Sequence, residues 1–146
     1  MITSEDIIDH IGKMQAVSVE HLNKVSCMPE PKEQLNWAKR FFRVKQCFSN
    51  ALQMSIVTEC DLVVGYVFLP EFGICIEHAW NAHLFGNHFD LTAQLFWNAE
   101  RSAEYFQLLR LSSEESLVFY QERKGVDHMA LRRMPKYQHL FKINMI

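Results

Sequence analysis

No run of about 18 consecutive apolar residues occurs in this sequence, which excludes a membrane-spanning helix and argues against a membrane partner. The opening Met1-Ile2-Thr3-Ser4-Glu5-Asp6 is acidic and lacks the basic-then-apolar layout of a secretory signal, so a cytoplasmic location is expected. Paired cysteines are missing as well. Cys27, Cys47, Cys60 and Cys75 have no Cys-x-x-Cys spacing, and free thiols are expected rather than disulfides. There is no internal repeat, no low-complexity stretch and no linker-like segment. The 146 residues therefore form one expected domain, 1–146, long enough to bury a core without staples.

What is present is ordinary globular material, 49% hydrophobic and 22% charged, with eleven Phe and three Trp for the core. The net charge of −2 is uneven. From Arg123 to Ile146 the chain has Arg123, Lys124, Arg132, Arg133, Lys136 and Lys142 against the single acid Asp127, a net +5 that leaves −7 on the remainder. Such a segment suits nucleic acid or an acidic partner, although a solvated helical face is the commoner origin of the pattern.

Helical spacing of Ile7, Ile8, Ile11 and Met14 predicts a first helix over 4–14, capped by Thr3 or Ser4. A second helix is expected over 32–43, after Pro29 and Pro31. A third begins near Gln46–Cys47, with Phe48, Ala51, Leu52 and Ile56 on one stripe. The period then changes. Leu62 to Leu69 is β-branched and aromatic and stops at Pro70, which predicts a strand. Gly73 to Leu84 predicts a second strand, Gly86-Asn87 a turn, and His88 to Leu91 the opening of a third. The C-terminal third reads as helical, with Ser112 and Glu115 forming a capping box for a helix over 113–123 that Gly125 ends. The expected class is α+β, with helices packed on a small antiparallel sheet.

Three residues carry the candidate chemistry. Cys47 heads the third helix, His78 lies within Glu77-His78-Ala79-Trp80, and Asp90 follows in Phe89-Asp90-Leu91-Thr92. Each has a plain structural role available: Cys as a small hydrophobe, His as a satisfied core residue, Asp as a turn former. In combination they match a thiol nucleophile, its base, and an acid that orients the base. The thiolate is the attacking species, and a helix N-terminus with an adjacent imidazolium favours it. Strand alternation sets Ile76, His78 and Trp80 on one face and Cys75, Glu77 and Ala79 on the other, which removes Cys75 as a partner of His78. Asp90 on the adjacent strand is placed to reach His78. A zinc site from Cys75, His78, His83, His88 and Asp90 is the competing reading. The same alternation puts Cys75 and His83 on the face opposite His78, so no metal and no cofactor is expected.

Cys47-Phe48-Ser49-Asn50-Ala51, Gly65-Tyr66, Glu77-His78-Ala79-Trp80 and Asp90-Leu91-Thr92 together resemble the papain-like and transglutaminase-like cysteine superfamily, and within it small bacterial and phage proteins with these motifs. The resemblance spans 46–92. It implies a papain-like or transglutaminase-like core and a Cys47–His78–Asp90 triad acting on amides of a protein or peptide by proteolysis, deamidation or acyl transfer. Gln46, Asn50 and Trp80 are the expected supporting residues. A glutamine a few residues before the nucleophile, as papain-like proteases have, is missing; Gln46 is adjacent to Cys47 and Gln34 is far. The Cys47 N–H or the Gln46 side chain is the expected replacement. A non-catalytic, phage-type accessory module that binds protein or nucleic acid through the basic segment is the alternative.

Overall fold

A computed structural model describes residues 2–97 and 102–142. Helix α1 (Ser4–Met14) is followed by the short strand β1 (Asn23–Val25), helices α2 (Lys32–Phe41) and α3 (Cys47–Thr58), and strands β2 (Asp61–Leu69), β3 (Ile74–Ala82) and β4 (His88–Phe89). Helix α4 (Leu91–Phe96), strand β5 (Glu104–Leu111) and helices α5 (Ser113–Gln121) and α6 (His128–Arg132) complete the order. The strands form one sheet in the order β1-β5-β2-β3-β4, with every pairing antiparallel. The α+β expectation therefore holds at the level of class. No helix among the described residues is long and apolar enough to cross a membrane.

The start of α1 follows from its cap. The Thr3 hydroxyl accepts from the Asp6 N–H while the Asp6 carboxylate accepts from the Thr3 N–H, satisfying two donors that helix ends leave free. The Ser112–Glu115 box opens α5 in the same way. That helix stops at Gln121, before Gly125, and Arg123 takes the left-handed turn with φ 56°. Helix α2 ends at Phe41, shorter than its apolar pattern suggested.

Strand β2 is the middle of the sheet and is buried almost throughout. Its two faces feed separate cores. Val64, Tyr66 and Phe68 join Ala79, Phe106 and Leu108 beneath Ile7 and Ile11 of α1, Ala51 of α3, Phe119 of α5 and Leu131 of α6. Val63, Val67 and Leu69 join Trp80, Ala82 and Tyr105 on the other face, with Cys27, Ile76 and Trp97 packed against them. A third cluster, with Ala38, Phe42, Met54, Phe89 and Leu91, ties α2 to α3 and α4.

Three sequence expectations change. The C-terminal third is not all helix: Glu104–Leu111 is β5, inserted between β1 and β2. Met14 is exposed, leaving Ile7 and Ile11 as the buried anchors of α1. The most buried side of α3 is Asn50, Ala51, Met54 and Ser55, because α3 meets partners on two sides. Its Ser55 hydroxyl bonds the Ser116 hydroxyl of α5 (2.9 Å), and Asn50 bonds Thr92 of α4 (3.2 Å).

Candidate active site

Cys47 is the first residue of α3. Gln46, at the cap position, is exposed and makes no side-chain capping bond, and Lys45 before it has φ 63°. The first amide of this helix to find a backbone partner is that of Asn50, on the Gln46 carbonyl (2.8 Å). The N–H groups of Cys47, Phe48 and Ser49 therefore form the open positive end of the helix. The Cys47 side chain is half-buried, and its thiol is free.

His78 sits on β3, almost wholly enclosed. Its Nε2 bonds Asp90 Oδ2 at 2.7 Å, with both side chains 3% exposed. Burial alone would depress the imidazole, but the Asp90 charge and hydrogen bond, reinforced by the Cys47 side chain, reverse this and push His78 up to about 10. The Cys47 side chain is thus near enough to act on the imidazole. With Nε2 engaged by Asp90, Nδ1 is the ring nitrogen left for the thiol. The structure thus joins His78 directly to Asp90 and sets Cys47 within electrostatic reach of the same imidazole.

Asp90 differs from expectation in its setting. Strand β4 stops at Phe89, and Asp90 is the N-cap of α4, with its Oδ1 accepting from the Ala93 N–H (3.1 Å). One carboxylate oxygen starts a helix and the other faces the histidine. Asp is a preferred N-cap, so a local capping signal holds the carboxylate in register.

Two features make room for the histidine. In the β2–β3 ladder Gly65 is directly opposite His78, and directly opposed side chains share a face. With no side chain at Gly65, the rings of His78 and Tyr105, on the strands flanking β2, approach to 6.4 Å between centroids. A β-bulge between Val64 and Gly65 lets β5 come close, and a Cβ on Gly65 would lie 2.0 Å from the Phe106 carbonyl oxygen. Trp97 covers the imidazole at 4.9 Å between ring centroids, and Trp80 lies nearly parallel to it at 6.1 Å.

Of the expected supporting residues, Asn50 is buried and structural. Its Oδ1 accepts from the Arg43 N–H (3.0 Å), and its Nδ2 donates to the Arg43 carbonyl (2.8 Å) and to Thr92 Oγ1 (3.2 Å). It ties the segment entering α3 to the first turn of α4, and so ties the Cys47 backbone to that of Asp90. Trp80 is a buried wall whose Nε1 donates to His88 Nδ1 (3.0 Å). Gln46 stands beside Cys47 in the chain with its side chain exposed.

The residues of the competing zinc reading are divided among other partners. His83 pairs with Glu30, His88 with Trp80, and His78 with Asp90. Cys75 packs toward the helix-covered core, and burial raises its thiol. In the basic segment Arg132 is turned inward, donating to the Gln15 carbonyl and lying over the Phe141 ring. Ile143 to Ile146 lie outside the described residues.

Sequence reasoning missed Tyr105, Trp97 and Cys27. The Tyr105 hydroxyl donates to Asp90 Oδ2 at 2.7 Å, the oxygen that also faces His78. Burial and then the Asp90 charge raise the Tyr105 hydroxyl far above the usual phenol range, so it remains a donor. Burial followed by the same charge also raises the Cys27 thiol. The missed signal for Tyr105 was the strand character of Glu104–Leu111, inside a C-terminal third that read as helical. Comparison with known proteins finds no matching family model, no matching curated protein and no matching solved structure.

Proposed function

We propose that the protein is a cysteine-dependent amide hydrolase or acyltransferase, with Cys47 as nucleophile, His78 as base and acid, and Asp90 as the group that orients His78. The observation that carries this reading is the enclosed 2.7 Å His78–Asp90 pair next to a half-buried thiol at a helix N-terminus. A structural histidine needs no thiol within its reach. A buried imidazolium does favour a thiolate beside it. The likeness of the Cys47, His78 and Asp90 motifs to the papain-like and transglutaminase-like superfamily points to the same chemistry, and a core of that type is part of the proposal.

In this scheme His78 holds the thiol proton on Nδ1 while the Cys47 sulfur attacks the amide carbonyl carbon. The carbonyl electrons move onto oxygen, where the free N–H groups at the start of α3 stabilise the charge. His78 gives its proton to the leaving nitrogen as the C–N bond breaks, which leaves a thioester. Water in a hydrolase, or an amine in a transferase, then attacks the thioester carbonyl carbon with His78 taking its proton, and the C–S bond breaks to release the acyl product and return Cys47 as the thiolate beside the protonated His78. Asp90 holds the ring in position and supports its charge throughout.

The test is site-resolved alkylation. With iodoacetamide, and the Cys47 peptide followed by mass spectrometry, Cys47 of the native protein should react below pH 7 at least about tenfold faster than an unassisted thiol. His78→Ala should abolish that excess, and Asp90→Asn should reduce it. Equal rates in native and His78→Ala protein, both matching a simple thiol, would sink the reading.

A further inference from the structure

Resting on that proposed triad, we infer that Tyr105 is its fourth member, a positioning residue that fixes the Asp90 carboxylate against His78. Asp90 Oδ2 receives two donors at 2.7 Å each, the His78 ring and the Tyr105 hydroxyl, while Oδ1 receives the Ala93 amide. A carboxylate held at one oxygen by a helix cap alone can still swing its other oxygen. With donors on both sides of Oδ2, the plane of the carboxylate is set and its lone pairs are directed at the ring.

The origin of the residue matters. Asp90 and His78 come from neighbouring parts of the chain, but Tyr105 comes from β5, across β2 from His78. It reaches Asp90 over the space left at Gly65, while its ring packs edge-on against Trp80 at 5.0 Å. The hydroxyl is thus separable from the packing role of the ring. The Asp90 charge also acts on the Cys27 thiol and on the imidazole. Burial and the Asp90 charge keep Cys27 protonated, and among the described residues Tyr105 and His78 are the side chains that bond Oδ2.

Tyr105→Phe keeps the ring and removes only the donor. Alkylation of Cys47 across pH 4–10 in the native, Tyr105→Phe and His78→Ala proteins tests the role. The expected result for Tyr105→Phe is a Cys47 rate below pH 7 reduced about tenfold, the scale of one hydrogen bond to a charged group, with the acid limb of the profile moved to higher pH. The melting temperature should change much less than it would on truncating the ring. A profile that superimposes on the native one overturns the inference and leaves the triad intact. A native profile matching that of His78→Ala instead overturns the triad reading itself. An independent readout in the unaltered protein is proton NMR, where a hydroxyl held on a buried carboxylate gives a downfield resonance protected from exchange. A rapidly exchanging Tyr105 hydroxyl would also overturn the inference, even if the variant failed to fold.

Discussion

Two buried histidines show how environment, and not residue type, sets behaviour at the scale of single residues. His78 has a carboxylate on one nitrogen and is pushed up to about 10. His128, enclosed by Tyr66 and Phe48, is lowered to about 4, first by burial, with the Gly65 backbone opposing and the Arg132 charge adding to the depression. The consequences for stability have opposite signs. His78 contributes stabilisation that is complete below pH 6.5 and is lost as pH rises through about 10. His128 binds its proton more readily in the unfolded chain, so the fold loses stability as pH falls from 6.5 toward 4. That loss is on the order of 3 kcal/mol for the full shift. Thermal melts from pH 7 to 4 should show a falling midpoint whose slope is shallower in His128→Phe; equal slopes would remove His128 as the cause. Neither histidine's state is legible in the sequence. His78 stands out for its neighbours in the chain, whereas the partners that enclose His128 come from α3 and β2, distant in sequence.

The elements that build the site begin and end on short-range rules. The caps at Thr3 and Ser112 are legible in the sequence alone, because capping is decided within four residues. The Asp90 cap is not. Its segment reads as the opening of a strand, and only the bond from Ala93 shows the chain already turning into α4. Gly65 is the other such position. Its sequence context is an uninterrupted strand, and its need for hydrogen in place of a side chain comes from β5 pressing on one side and His78 facing it on the other. Gly65→Ala should therefore cost about 3 kcal/mol, the upper range for overpacking, measured as a shift of the urea midpoint. It should also disturb Cys47 reactivity, since the clash lies between β2 and the strand that carries Tyr105. A variant as stable and as reactive as the native protein would show that the sheet absorbs the methyl group without strain.

For the whole molecule the ordering of strands is the governing fact. Strand β2 is paired on both edges and covered on both faces, so its amides should exchange with solvent most slowly of all, near the rate of global unfolding. The amides of β4, paired to β3 only at Asn81 and Ala82, should exchange much faster. Hydrogen exchange by mass spectrometry or NMR checks both, and fast exchange in β2 would contradict the central placement. By itself the sequence determined the local outcomes: where α1, α3 and α5 start, that two apolar strands follow α3, and that His78 and Trp80 share a face. Those follow from periodicity and capping, which depend on neighbours a few residues away. Only the tertiary structure decided that Glu104–Leu111 is a strand, that it lies against β2, and that it brings Tyr105 to Asp90. The physical reason is that a strand is completed by hydrogen bonds to another strand. The partner residues of β5 on β2 lie about forty positions earlier, and no local pattern encodes a contact whose energy is realised only when the sheet closes.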